Sequence, residues 1–171
     1  MEYLKLYFIG FMGSGKTTIS KTLCKKTGAK WIDVDREIEK AEKRKITDIF
    51  AQDGEDYFRQ VETKTLREIA NRPQSLVVSC GGGTPLRDEN IEIMRQSGEI
   101  IWLSAAPQTI FEHVRYSKNR PILNGHMNVA YISELLEKRL PYYEKAGDFV
   151  VKTDGRSVDE IVDFLKNKYF T

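Results

Sequence analysis

The stretch GFMGSGKT at residues 10–17 has the residue types and spacing of a loop that holds phosphate groups, G-x-x-x-x-G-K-[ST]. Glycines let backbone N–H groups turn toward an anion, and a helix that begins after the loop adds the positive end of its dipole. The Lys16 ammonium would reach the terminal phosphates, and the Thr17 hydroxyl would bind Mg²⁺. An apolar run precedes the loop and a helical pattern follows it, so we predict a nucleoside triphosphate site. The residues expected to bind the nucleotide here are Gly13, Ser14, Gly15, Lys16, Thr17 and Thr18.

Two carboxylates, Asp33 and Asp35, follow the apolar residues of a predicted second strand. On an extended chain a spacing of two places both on one face. One could lie near Mg²⁺, and the other could accept a hydrogen bond from an attacking hydroxyl. The predicted strand at 76–79 carries no aspartate for magnesium, which favours Asp33 as the metal residue and argues against a GTPase or motor ATPase. The alternative is a strand that simply ends in polar residues.

The segment GEDYFRQVE at residues 54–62 carries a charged pair on a predicted helix. Arg59 and Glu62 stand three residues apart, so they face each other. The two could form an exposed ion pair, which contributes little to stability. Alternatively, Glu62 could hold Arg59 toward an anionic substrate. By themselves these residues favour the exposed pair.

Two further stretches lie where loops are predicted. Three successive glycines, at 81–83, exceed what a single turn needs and suggest that the backbone approaches a ligand closely. The basic stretch at 113–125 is either a solvated loop or a mobile lid in which Arg120 covers the transferred phosphoryl group. Arg139 is a candidate for a second anion-binding arginine.

The elements that must position these residues alternate along the chain. Short, continuously apolar runs are typical of strands buried on both faces of a parallel sheet, and amphipathic helical patterns separate them. Such a doubly wound α/β fold binds ligands at the carboxyl ends of its strands. The predicted strands are residues 4–9, 31–34, 76–79, 100–103 and 149–152. The predicted helices are residues 17–27, 36–43, 55–70, 88–96, 107–116 and 130–145, and one that begins at Ser157.

Composition bounds the class of protein. The 171 residues suit one domain, and 27 Lys and Arg against 25 Asp and Glu give a net charge of +2, too balanced to indicate nucleic-acid binding. Cys24 and Cys80 form no metal-binding pattern and are expected to be reduced thiols. With neither a signal-peptide pattern nor an apolar stretch that could span a membrane, we expect a cytoplasmic monomer.

These motifs together resemble the shikimate kinase family, a group of small P-loop kinases related to nucleoside monophosphate kinases. The matching pieces are GFMGSGKT, DVD, GEDYFRQVE, CGGGT, NRPIL and RLPYYEKAGD, in the family's order. The resemblance implies a three-layer α/β/α P-loop fold with a five-stranded parallel sheet in the order 2-3-1-4-5. It implies one kinase domain over 1–171, with a substrate-binding segment at about 33–62 and a mobile lid at about 113–127. The implied reaction transfers the γ-phosphate of ATP, with Mg²⁺, to the 3-hydroxyl of shikimate.

The resemblance also implies roles for single residues. Asp35 would bind and orient the acceptor hydroxyl, and Asp33 would hold Mg²⁺ through water alongside Thr17. Arg59 and Arg139 would bind the shikimate carboxylate, for which guanidinium groups are well shaped. The remaining implied contacts are Gly81, Gly82 and Gly83 with the ring hydroxyls, Phe50 and Phe58 with the ring, and Lys16 and Arg120 with the phosphoryl group.

Two points stay open at this stage. Many members of the family carry an arginine near position 113 that stacks on adenine, whereas here His113 is followed by Arg115, and Arg156 lies in another loop that could reach the base. The alternatives in function are another small-molecule kinase, such as gluconate kinase or a nucleoside monophosphate kinase, and a nucleotide-binding regulatory module without turnover.

Overall fold

A computed structural model describes residues 3–115 and 128–170. These residues form one sheet of five parallel strands in the order β2-β3-β1-β4-β5. The predicted strand order is therefore confirmed. The strands are β1 (Lys5–Ile9), β2 (Lys30–Asp33), β3 (Leu76–Ser79), β4 (Glu99–Ser104) and β5 (Phe149–Lys152).

Seven α-helices cover the two faces of the sheet in the described ranges, and their ends follow local capping signals. Gly28 ends the first helix in a left-handed conformation, and its N–H donates to the Cys24 carbonyl. Asn128 and Ser157 begin later helices by accepting backbone N–H groups. The helices are α1 (Lys16–Thr27), α2 (Val34–Glu42), α3 (Ile46–Ala70), α4 (Asp88–Ser97), α5 (Pro107–Val114), α6 (Val129–Ala146) and α7 (Val158–Tyr169), with a short 3₁₀ turn at Thr84–Leu86.

The central strand β1 joins two hydrophobic clusters, one on each face of the sheet. Tyr7 and Ile9 enter the cluster beneath α2 to α6, whereas Leu6 and Phe8 enter the cluster beneath α1 and α7. Alternate side chains of a strand point to opposite faces, so a strand covered on both sides must be apolar throughout. This explains the continuous apolar run that precedes the phosphate loop.

The strand register brings the chemically interesting loops to one edge. Phe8 of β1 pairs with Ser79 of β3, and Ser79 pairs with Asp33 of β2. The chain therefore leaves these three parallel strands at the same level. The phosphate loop, the DVD segment and the triglycine loop all begin at this edge, as expected for an α/β ligand site.

Two local predictions are wrong. Asp35 does not lie on an extended chain beside Asp33, because α2 begins at Val34 and places Asp35 in its first turn. Asp33 caps this helix by accepting the Arg36 N–H at 3.1 Å, and aspartate is among the residues most favoured at that position.

The helix predicted over 55–70 begins nine residues earlier, at Ile46, and is kinked at Gly54. Gly54 interrupts the helical pattern, both because glycine weakens helix propensity and because its backbone is not helical here. Within the described ranges, no helix is both long and apolar enough to cross a membrane.

Candidate active site

The phosphate loop lies between β1 and α1 and is backed by α5. Gly13 has φ +80°, and a Cβ added to it would lie 2.6 Å from Val114 Cγ1. A side chain at this position is therefore excluded both by conformation and by space. His113 lies on the same helix, and its Nδ1 donates to the Gly13 carbonyl oxygen at 2.6 Å. The end of α5 thus holds the loop from outside.

The side chains expected to act on phosphate stand at the start of α1. Lys16 is the first residue of this helix, and its ammonium donates to the carbonyl oxygens of Gly10 at 2.7 Å and Phe11 at 3.0 Å. These two hydrogen bonds hold the positive charge of Lys16 against the backbone of the phosphate loop. Thr17 and Thr18 are exposed in the first turn of α1, where an approaching anion also meets the positive helix end.

Asp35 is a half-buried carboxylate beside the triglycine loop. A Cβ added to Gly81 would lie 3.2 Å from Asp35 Oδ1. The pKa of Asp35 is raised to about 6, first by burial and then by the charges of Asp33 and Glu62, while the charge of Lys16 lowers it. The carboxylate is ionised at neutral pH yet more basic than an exposed aspartate, as suits a group that accepts a proton.

Arg59 and Glu62 do not form an exposed pair. The Glu62 side chain is fully buried, and its Oε1 accepts from Arg59 Nη1 at 2.9 Å. Arg59 itself is 14% exposed. The carboxylate therefore holds the guanidinium from the protein side, and the arginine faces the loops at the sheet edge.

Both candidate anion-binding arginines contact the triglycine loop. A Cβ added to Gly82 would lie 2.8 Å from Arg139 Nη1, and one added to Gly83 would lie 2.8 Å from Arg59 Cζ. The absence of side chains thus allows two guanidinium groups, one from α3 and one from α6, to approach the same backbone. Two such groups beside one another can bind a carboxylate.

Tyr143 is a residue of this site that the sequence analysis missed. It lies one helical turn after Arg139, is fully buried, and donates its hydroxyl to the Gly82 carbonyl at 2.8 Å. Burial raises its pKa, which keeps the phenol protonated as a donor. The spacing of four from Arg139 on a helix was the available signal.

Two phenylalanines expected to pack on the acceptor ring are brought together. The ring centroids of Phe50 and Phe58 lie 4.9 Å apart. Phe58 is buried, whereas Phe50 is 38% exposed, so Phe50 offers an apolar surface to a ligand.

The residues considered for adenine have partners within the protein. Arg115 pairs with Glu112 at 3.1 Å, and Arg156 donates to the Lys152 carbonyl at 3.4 Å. Arg120 and the predicted lid from residue 116 onward lie outside the described residues.

Thr17 and Asp33 fit a magnesium role in their chemistry. In the described part of the chain, no three His, Cys, Asp or Glu side chains cluster as a metal site. Mg²⁺ prefers oxygen ligands, keeps several waters and binds through few protein groups, and both of these side chains carry oxygens. Asp33 uses Oδ1 for its helix cap, and its charge acts on Asp35 together with that of Lys16. Asp33 thus belongs to the charged cluster around the loop.

Two surface cavities of the described residues lie away from this site. One of about 970 Å³ is lined by Lys5 and Glu99, at the starts of β1 and β4, and so lies at the opposite edge of the sheet. Another, of about 290 Å³, lies along α4.

A five-stranded parallel sheet in this order, with a glycine-rich phosphate loop between its central strand and the first helix, defines the P-loop kinase class. A family profile described as shikimate kinase matches residues 12–169. The shikimate kinase of Thermodesulfovibrio yellowstonii is 40% identical over 164 residues, which cover 96% of this chain and 94% of that protein. That of Persephonella marina is 42% identical over 92% of this chain and 94% of that protein. The chain belongs to the shikimate kinase family of ATP-dependent phosphotransferases.

Solved structures of shikimate kinases have the same fold as this chain. The shikimate kinase of Acinetobacter baumannii, in complex with shikimate, has a TM-score of 0.88 at 28% identity and covers 99% of this chain and 96% of its own. The shikimate kinase of Aquifex aeolicus has a TM-score of 0.79 at 29% identity, with 96% and 95% covered. A gluconokinase of Sinorhizobium meliloti, at 17% identity and a TM-score of 0.59 over 99% and 98% of the two chains, shares the fold alone.

Proposed function

We propose that this chain transfers the γ-phosphoryl group of ATP to the 3-hydroxyl of shikimate, giving shikimate 3-phosphate and ADP. Family membership supports the reaction. The observation that carries the acceptor is the approach of Arg59 and Arg139 to the triglycine loop, next to Asp35. Two guanidinium groups suit a planar carboxylate, and the neighbouring Asp35 suits a hydroxyl on the same small molecule.

In this proposal the acceptor lies between α3, α6 and the triglycine loop. Arg59 and Arg139 bind its carboxylate, and Phe50 and Phe58 pack on its ring. The backbone of Gly81, Gly82 and Gly83 contacts the ring hydroxyls. Asp35 accepts a hydrogen bond from the attacking hydroxyl and takes its proton as the bond to phosphorus forms.

The nucleotide lies along the phosphate loop. Backbone N–H groups of Gly13, Ser14 and Gly15 and the side chains of Thr17 and Thr18 hold its phosphates, while Lys16 and Arg120 neutralise charge on the transferred group. Thr17, and Asp33 through water, would hold Mg²⁺, which supplies positive charge to the phosphate oxygens. Arg156 remains our candidate for a contact with adenine.

We further propose that residues 1–171 act as one kinase domain in the cytoplasm, as a monomer, with a lid at about 113–127. The single sheet with a core on each face supports one domain. The balanced charge, net +2, supports small-molecule partners rather than nucleic acid.

The test is ADP formation with shikimate, gluconate or AMP as acceptor, each with Mg²⁺ and with excess chelator. We expect turnover on shikimate to exceed that on the other two, and chelation to abolish it. Faster turnover on gluconate or AMP would assign a different acceptor.

Lys16→Ala in the same assay tests the phosphate loop. We expect the variant to fold and to lose most turnover, because the ammonium acts on charge that develops during transfer. Lys25→Ala, at an exposed lysine of the same helix, is the control and should leave turnover unchanged. Near-normal turnover by folded Lys16→Ala would show that this loop does not hold the reacting phosphates.

A further inference from the structure

Beside the triglycine loop lies a buried polar cluster formed by Glu62, Thr63, Thr84 and Asn90. Each of these side chains is at most 3% exposed. A buried carboxylate is costly unless its oxygens accept hydrogen bonds, so the partners of Glu62 must be well placed. Among the four, Glu62 is the residue that contacts the guanidinium group of Arg59, which is assigned to substrate binding.

Both carboxylate oxygens of Glu62 have a donor. Oε1 accepts from Arg59 Nη1 at 2.9 Å, and Oε2 accepts from the Thr84 hydroxyl at 2.8 Å. The terminal torsion of a glutamate is otherwise soft, so a single donor would leave the carboxylate free to turn. Two donors on opposite oxygens fix its plane.

Thr84 is itself held in place by its backbone. Its N–H donates to the Gly81 carbonyl at 3.1 Å, which ties it to the triglycine loop. Its carbonyl accepts from Asn90 Nδ2 at 2.9 Å, and Asn90 Oδ1 accepts from the Thr63 hydroxyl at 2.6 Å. The Thr84 hydroxyl is therefore a donor fixed relative to both the loop and α3.

We propose that Thr84 is a positioning residue for acceptor binding. Its hydroxyl donates a hydrogen bond to Glu62 Oε2, so that Arg59 donates to Glu62 through only one of its nitrogens and keeps the others for the acceptor. If the hydroxyl is lost, Glu62 Oε2 stays buried without this donor, and the Arg59 guanidinium, which already donates to Oε1, becomes available to it. A two-nitrogen pair between Arg59 and Glu62 then competes with the carboxylate of the acceptor. This inference rests on the proposed function, since it requires an acceptor that carries a carboxylate.

The predicted signature is selective for one substrate. Arg59 and Thr84 lie on the acceptor side, and the nucleotide contacts proposed above come from other segments. Loss of the hydroxyl should therefore raise the KM for shikimate and leave the KM for ATP unchanged. If Thr84 only stabilised the fold, its substitution would leave both KM values of the folded enzyme unchanged or would change the two together.

The decisive variant is Thr84→Val, which keeps the shape and removes the hydroxyl. We expect its KM for shikimate to rise about tenfold or more, as for a lost hydrogen bond to a charged group, with the KM for ATP within about twofold. Thr84→Ser retains a hydroxyl and should restore the KM for shikimate to within about threefold of the original.

Thr65→Val is the matched control. Thr65 lies on α3 and is buried like Thr84, but its hydroxyl donates to the Val61 carbonyl of its own helix, at 2.8 Å. Both KM values should stay unchanged in this variant. Circular dichroism establishes that each protein is folded. Should Thr84→Val not fold, Thr84→Ala, which also removes the hydroxyl, takes its place with the same expectation.

Two negative outcomes have different meanings. If the unaltered protein phosphorylates shikimate and the folded Thr84 variant shows an unchanged KM for shikimate, or equal rises in both KM values, the role of Thr84 is refuted alone. If the unaltered protein does not use shikimate, the proposed function fails first, and this inference fails with it.

Discussion

At the scale of single residues, the catalytic role proposed for Asp35 comes with a cost to folding. Its pKa is about 6 in the folded protein against an ordinary value of 3.8, mainly because of burial. The folded state thus binds the proton more tightly than the unfolded state does. Ionisation of Asp35 therefore opposes folding: the penalty is absent below about pH 4, grows between about pH 4 and 6, and is complete above pH 6.

Asp35→Asn should consequently be more stable and less active. The shift from 3.8 to about 6 corresponds to at most roughly 3 kcal/mol of unfolding free energy, gained at pH 7.5 and not at pH 4. Turnover should fall by about 10²–10⁴, because asparagine cannot take the proton. Urea unfolding at both pH values and an ADP assay measure the two effects.

Glu68→Gln, at an exposed carboxylate of α3, is the control and should change neither stability nor turnover appreciably. An Asp35→Asn protein with the same stability gain at pH 4 and pH 7.5 would contradict the buried-carboxylate account, since a gain unrelated to ionisation has no pH dependence.

At the scale of elements, the kink in α3 brings the rings of Phe50 and Phe58 into contact. Residues eight apart on a straight helix are separated by about 12 Å along its axis. The rings of Phe50 and Phe58 are nevertheless 4.9 Å apart, because Gly54 between them has φ +83° and ψ 174°. This backbone conformation is essentially confined to glycine.

Gly54→Ala should therefore destabilise the protein and weaken acceptor binding. We expect a loss of about 1–3 kcal/mol in unfolding free energy and a higher KM for shikimate. Gly28→Ala is the matched control: an added Cβ meets nothing within 4 Å at either glycine, but Gly28 has an ordinary left-handed conformation at φ +78° and ψ 2°. Its loss should be smaller, about 1 kcal/mol, with KM unchanged.

Denaturant unfolding and steady-state kinetics on the two glycine variants decide the point. Equal losses of stability, or a KM for shikimate that does not respond to Gly54→Ala, would show that the kink is not required for the acceptor side.

At the scale of the whole molecule, β1 couples the two hydrophobic clusters. Its alternate side chains enter opposite clusters, so neither cluster can be lost while the other stays intact around the same strand. We expect one cooperative unfolding transition, as is usual for a single domain of this size. Two tryptophans report on it from opposite faces, Trp31 against one cluster and Trp102 within the other.

Leu165→Ala tests this coupling from the side remote from the acceptor. Leu165 is fully buried on α7, and its truncation should cost about 2–5 kcal/mol, with both KM values unchanged in the folded enzyme. Tryptophan fluorescence and circular dichroism should follow the same denaturant curve. Lys166→Ala, its exposed neighbour, should have almost no effect. Separate transitions for the two probes would contradict a single cooperative unit.

The sequence by itself determined those features of this protein that depend on residues close together in the chain. The phosphate loop could be predicted because its glycines, Lys16 and Thr17 act within one short segment. The five strands could be predicted because burial on both faces demands continuous apolar runs. Their order came from a resemblance, since short apolar runs do not encode which strands become neighbours.

The tertiary structure decided what depends on residues distant in sequence. The sequence could not show locally that the Arg59–Glu62 pair is buried, because the second hydrogen bond to the buried Glu62 carboxylate comes from Thr84, 22 residues away. Tyr143 reaches the Gly82 carbonyl across 61 residues, and Asn90 reaches Thr63 across 27. Such polar contacts follow from the register and packing of whole elements, which no local pattern of residue types contains. Local motifs therefore predicted the groups that we propose bind substrate, whereas only the packed fold showed which groups hold them in place.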